Sequence, residues 1–180
     1  MRRTACPQPG ERGQATAYGA GYVTPMALDG DFGELDSLPQ SDQQAVTKTL
    51  TALLEGFQQR DADKLVGVYS TSADWVNAFG TSKRGGKDIV SYLRGLFSDD
   101  NFNAGTLKAP PQSNLRVLTA EVILVSTHLQ VEGQKLVDGG EIEVRNNFSL
   151  RVLQRQANCE WLIVSKMYND ANQESTYEAS

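Results

Sequence analysis

The sequence predicts an α+β fold: one small domain with helices in its first half and a meandering antiparallel sheet in its second. Three observations carry this. Apolar residues recur at helical spacing twice before residue 98, as Val46, Leu50, Leu53, Leu54 and Phe57 and then as Ile89, Leu93, Leu96 and Phe97. From Leu115 onward the apolar residues become β-branched and alternate. Glycine, proline and asparagine breaks separate these runs.

The elements follow in order. Ser41-Asp42-Gln43-Gln44 has the form of a capping box, so the first helix is expected over 42–59. Arg60-Asp61 breaks it, and Asp61 caps a short second helix carrying Leu65, Val68 and Tyr69. Ala73 to Phe79 alternates as a strand that Gly80 ends, and Gly85-Gly86 turns the chain into the third helix. Phe102 to Lys108 reads as a weak strand stopped by Pro110-Pro111. Leu115 to Val131 is a long strand with a bend or interruption near Thr119. Gly133 and Asp138-Gly139-Gly140 bracket a turn. Ile142 to Leu153 and Trp161 to Tyr168 complete the sheet, with Ala157-Asn158 in the turn between them.

Residues 41–172 are therefore the domain. Residues 1–40 hold four of the six prolines and show neither period, so they read as a flexible leader, and 173–180 as a tail. Tyr18, Tyr22, Met26, Phe32 and Leu35 are the leader residues able to dock on the domain, and Met26 is an alternative start. The net charge of −5 and pI of 4.9 argue against a nucleic-acid partner, which needs a basic footprint. No apolar run approaches the roughly 18 residues that span a bilayer, and no apolar segment follows Met1-Arg2-Arg3, so neither a membrane anchor nor a secretory signal is expected. Cys6 and Cys159 show no metal-binding spacing and one histidine cannot complete a zinc site. They are read as free thiols of a cytoplasmic protein with no metal and no cofactor. Asn147-Phe148-Ser149 matches a glycosylation pattern inside an expected strand.

The order of elements and three local stretches carry a family resemblance. Asp61-Ala62-Asp63-Lys64-Leu65, Ala73-Asp74-Trp75-Val76-Asn77-Ala78-Phe79-Gly80 and Arg84-Gly85-Gly86-Lys87-Asp88-Ile89 resemble the ketosteroid isomerase and SnoaL-like branch of the nuclear transport factor 2-like superfamily. Trp161-Leu162-Ile163 and Asn169-Asp170 look most like its SgcJ/EcaC-type subfamily, some members of which serve polyketide and enediyne biosynthesis. The resemblance spans about 130 residues. It implies a cone-shaped curved antiparallel sheet packed on three N-terminal helices, a cystatin-like roll with an apolar pocket inside, and a homodimer formed through the sheet.

The resemblance also removes an activity. At the position matching the isomerases' general-base aspartate stands Asn77, their helix-1 tyrosine falls near Leu53, and the window for their second acid, Val144 to Leu153, holds no Asp or Glu. Isomerisation by that mechanism is not expected.

Polar residues that interrupt an apolar strand face are the candidates for a pocket, because a buried polar group needs a partner. Asn77 shares a face with Trp75 and Phe79, and reads as a pocket hydrogen-bonder or a structural bond to nearby backbone. Asn146 alone breaks the face Ile142, Val144, Phe148, Leu150 and Val152, as a ligand contact or a satisfied core amide. Lys166 and Tyr168 follow Leu162 and Val164 in one register, and Lys166 is either a buried base or a snorkelling strand-end lysine. His128 shares a half-polar face with Val122, Leu124, Ser126 and Gln130. Arg145, Asn147, Ser149 and Arg151, with Glu141 and Glu143, read as a solvated or dimer-forming surface.

The expected function is binding of a small hydrophobic or aromatic molecule by Trp75, Asn77, Phe79, Tyr92, Asn146 and Tyr168. The alternatives are a cyclase or isomerase using Asp74, His128 or Lys166 as base, and an association module with a vestigial pocket.

Overall fold

The computed structural model describes residues 29–136 and 138–171 of the chain. The first helix, α1 (Gln40–Gln58), starts behind Pro39, whose missing N–H is no loss there. It has no side-chain cap, which corrects the capping-box reading. Asp42 turns inward instead, and is discussed below. Val46, Leu50 and Leu53 line its buried face. A 3-10 turn (Ala62–Leu65) follows, capped as expected by Asp61, which accepts from the Asp63 amide. Gly56 lets α1 touch that turn, since a Cβ there would sit 2.5 Å from Leu65.

Strand β2 (Tyr69–Val76) pairs with β3 (Ser82–Arg84), and α2 (Gly86–Leu96) follows Gly85, whose φ of 87° suits glycine. The expected strand at Phe102–Lys108 is shorter than expected: Asp99 accepts from the Phe102 amide and caps α3 (Asp100–Asn103), which takes its first two residues and leaves β4 as Thr106–Leu107. The long β-branched segment divides at Thr119 into β5 (Gln112–Thr119) and β6 (Val122–Lys135). Gly133 lies within β6, and the turn runs through Leu136 to Gly140, closed by the Leu136 amide on the Gly140 carbonyl at 2.7 Å. The last two strands are β7 (Glu141–Arg155) and β8 (Trp161–Asp170).

Part of the segment assigned to the leader joins the sheet. Strand β1 (Asp29–Asp31) pairs parallel with β5, a 3-10 turn (Gly33–Ser37) follows, and Phe32 and Leu35 pack against the core. Tyr18, Tyr22 and Met26 lie outside the described residues.

The architecture is α+β, and the described residues form one curved sheet of eight strands in the order β1-β5-β6-β7-β8-β2-β3 with β4 on β6. It is mixed rather than wholly antiparallel, because β1 joins β5 and β2 joins β8 in parallel. The core lies between the sheet and α1 and α2, with Val46, Leu65, Ile89, Leu93, Ile123, Leu153, Trp161 and Ile163 fully buried. Each such aliphatic side chain contributes about 1.5–3 kcal/mol by leaving water.

Asp42 ties helix to sheet. Arg155 Nε donates to its Oδ1 at 2.8 Å and Trp161 Nε1 donates to the same oxygen at 3.0 Å. Asp42 is 5% exposed, so these bonds compensate a buried charge.

Two strand faces differ from expectation. On β7 the apolar set turns outward, with Phe148 44% and Leu150 47% exposed, while Asn147, Ser149, Arg151 and Leu153 are buried. Alternation along a strand names two faces but does not say which is inside. On β8 the register slips between Ile163 and Ser165, opposite Leu153 and Val152. This bulge at Val164 puts Lys166 and Tyr168 on the inner face with Trp161 and Ile163, not with Leu162 and Val164.

Cys159 is disulfide-bonded, which corrects the free-thiol reading there and removes the support it lent to a reducing compartment. Cys6 lies outside the described residues. Among the described residues no helix is long and apolar enough to cross a membrane.

Candidate functional site

Strand pairing arranges the inner face of the sheet in rows. One row runs Leu115, Val125, Arg151, Lys166 and Trp75 across β5, β6, β7, β8 and β2. The next holds Ser113, Thr127, Ser149 and Tyr168, and a third Leu129, Asn147 and Asp170. Helix α1 lies across these rows but does not fill the space beneath it.

The remaining cavity has a volume of about 130 Å³. Its helix side is Leu50, Leu53, Leu54, Phe57 and Gln58, and its rim includes Leu107, Pro111 and Leu129. Its sheet side is Ser113, Thr127, Ser149, Arg151, Lys166 and Tyr168. The walls are apolar and the floor is polar and cationic.

The floor is only partly satisfied. The hydroxyls of Ser113 and Thr127 bond at 2.8 Å. Arg151 donates from Nη2 to Ser149 Oγ at 2.8 Å, while its buried Nε has no partner among the described residues. Lys166 is 2% exposed, with Nζ 4.7 Å from the Phe57 ring centroid and 4.5 Å from that of Tyr168. The five described ion pairs involve neither Arg151 nor Lys166. Burial lowers the Lys166 amine well below the usual lysine range, and the Arg151 charge adds to the effect. Burial also lowers Arg151, against the opposing influence of Tyr168 and Tyr69. Burial lifts the Tyr168 phenol, against Arg151 and the nearby Trp75 indole N–H. That N–H, and the hydroxyl of buried Tyr69, make no hydrogen bond of normal geometry among the described residues.

Of the residues expected here, Lys166 and Tyr168 line the cavity, and the snorkelling alternative for Lys166 is excluded by its burial. Trp75 stands one layer behind, its ring 5.8 Å from Tyr168 and 5.2 Å from Tyr92. Tyr92 takes a hydrogen bond from Asn77 Nδ2 at 3.2 Å and does not line the cavity. Asn77 has the structural role: strand β2 ends at Val76, and Asn77 Oδ1 accepts from the amides of Phe79 and Thr81 to hold the turn. Phe79 is 72% exposed beyond that turn, with the Arg145 guanidinium 4.7 Å from its ring centroid.

Asn146 is on the outer face, where its Oδ1 accepts from Gln130 Nε2 at 2.8 Å. His128 is there too, stacked on Phe148 at 4.4 Å. Asp74 points away from the cavity and lies 3.7 Å from Arg84. The strand face that carries Asn146 thus belongs to the surface, and these three residues are apart from the cavity.

The residues missed were Ser113, Thr127, Ser149 and Arg151, with Asn147 and Asp170 beyond them. Asp170 receives Arg145 Nε and Asn147 Nδ2, each at 2.7 Å, so it is already paired, and Asn147 of the glycosylation pattern is buried. The signal that could have found Arg151 is Leu153, two residues on, whose face is apolar core.

No family model matches the chain, and no curated protein matches it. Solved structures do. A cystatin-like-fold protein from Caulobacter vibrioides aligns over 73% of this chain and 91% of its own at a TM-score of 0.62 and 14% identity. A nuclear transport factor 2-like protein from Cytophaga hutchinsonii aligns over 74% and 100% at 0.53 and 13% identity. A candidate ketosteroid isomerase from Shewanella frigidimarina aligns over 72% and 95% at 0.54 and 11% identity. The chain therefore has the nuclear transport factor 2-like, cystatin-like fold. Identities this low speak to fold alone.

Proposed function

We propose that the protein binds a small apolar or aromatic molecule in the cavity between α1 and the sheet. The observation that carries this is the largely apolar cavity of about 130 Å³ between α1 and the sheet, walled by Leu50, Leu53, Leu54 and Phe57. An engineered apolar cavity of about 150 Å³ in another protein takes up benzene, so one ring is a reasonable size for the occupant. No described carboxylate or histidine lines the space, so the wall suits binding better than paired acid–base chemistry. A place in polyketide or enediyne metabolism has support from the sequence resemblance alone. The test is native mass spectrometry of protein purified from its own host, followed by calorimetric titration with one-ring probes. A stoichiometric small molecule, or saturable probe binding lost in Leu53→Trp, supports the reading. An empty protein that takes no probe sinks it and leaves the association-module alternative.

One observation favours a second reading, an enzyme. Lys166 is a buried amine at the cavity floor whose pKa burial lowers well below the usual lysine range, which makes it a readier proton acceptor than an exposed lysine. The check is proton NMR of one-ring ketones in deuterated buffer. Exchange at the carbon beside the carbonyl, above the buffer rate and lost in Lys166→Met, supports it, and exchange at the buffer rate excludes it.

The proposal includes a homodimer. Its support is the outer sheet face, where Phe148, Leu150 and Met167 are 44%, 47% and 56% exposed on neighbouring strands. Light scattering gives the mass directly.

A further inference from the structure

The cavity floor has a charge problem that names its occupant. Arg151 and Lys166 are opposed on neighbouring strands, 7% and 2% exposed, and neither has an ionic partner among the described residues. The groups around them are other cations or phenols: Tyr69 and Tyr168 act on Arg151, and Arg151 on Lys166. A buried cation costs several kcal/mol unless it is paired, so two side by side are retained against stability. Arg151 Nε is a buried donor without an acceptor among the described residues, and Arg151 and Lys166 both line the cavity. An anion entering this space would meet a planar guanidinium fork suited to two-oxygen recognition. The opposite wall, α1, offers hydrocarbon only, apart from Gln58.

We propose that the occupant is a small apolar acid: a monocarboxylate of roughly one aromatic ring or six to eight carbons, its carboxylate against Arg151 and Lys166 and its hydrocarbon against Leu50, Leu53 and Phe57. This rests on the cavity being the ligand site, and adds the charge and size of the ligand. A bound carboxylate favours the charged form of Lys166 and so opposes the burial that lowers its amine.

The experiment is calorimetric titration of the full chain at neutral pH with benzoate, phenylacetate and hexanoate, against benzyl alcohol and hexanol. The expected result is a carboxylate preference of about tenfold or more over the matching alcohol. Arg151→Gln and Lys166→Met should each reduce the preference. Lys166→Met removes a buried charge and keeps the test usable if Arg151→Gln does not fold. Equal binding of acids and alcohols overturns the acid inference and leaves the apolar cavity standing. Binding of neither overturns the cavity reading itself.

Discussion

Arg151 on β7 and Lys166 on β8 face each other across one sheet pairing, both pointing into the core and both without a carboxylate among the described residues. The fold does not need this pair. Its neighbours in the row are Leu115, Val125 and Trp75, any of which shows what the position would hold for stability alone.

Lys166→Met should therefore stabilise the protein at neutral pH, by on the order of 1 kcal/mol or more. The cation–π contacts with Phe57 and Tyr168 offset only part of the burial cost. The sign with pH follows from the lowered folded-state pKa. The unfolded chain holds its proton up to about pH 10.4 and the folded chain releases it earlier, so between the two values stability rises with pH. Below the folded value the penalty is complete and constant. Urea unfolding from neutral to alkaline pH should show this rise in the native protein and a flatter line in Lys166→Met. A variant less stable at every pH would mean that Lys166 is a structural residue.

Asp42→Ala should cost about 3–5 kcal/mol, because it removes the buried carboxylate that accepts from both Arg155 Nε and the Trp161 indole N–H. Asp42→Asn keeps an acceptor and should cost less. Chemical denaturation of both variants checks the order, and a loss below about 1 kcal/mol for the alanine, the range of exposed pairs, would show that water replaces the carboxylate.

Asn77→Ala removes the side-chain bonds to the Phe79 and Thr81 amides and to Tyr92, and should destabilise by about 1–2 kcal/mol. It should leave probe affinity in the cavity unchanged, since Asn77 does not line it. A thermal melt and a titration on the same sample separate the two effects. An affinity loss with no change in melting would return Asn77 to the site.

Phe148→Asp with Leu150→Arg should turn the proposed dimer into a monomer without altering the melt by more than a few degrees. Both side chains are half exposed, so the charges stay in solvent in a lone chain and are desolvated only in an interface. Light scattering across a dilution series reads the mass. A native protein that is already monomeric at the highest concentration would end the dimer proposal.

The sequence determined by itself what local spacing encodes. Heptad-like apolar positions placed α1 and α2, Asp61 placed the 3-10 turn, and β-branched runs placed β5 to β8, because periodicity and capping act within a few residues of each other. Lys166 and Tyr168 were legible as polar residues in an apolar strand. Three things were decided only in three dimensions. Whether β7 shows Arg151 or Phe148 to the core depends on its pairing with β6 and on α1 covering that side, and alternation is identical for both choices. The bulge at Val164 realigns Lys166 with Trp161 through a one-residue slip that no local propensity marks. The isolation of two cations beneath a helix is a statement about which residues of several strands and α1 line one cavity, none of them a carboxylate among the described residues. Charge pairing is set by distance in space, and distance in space is what a linear pattern does not carry.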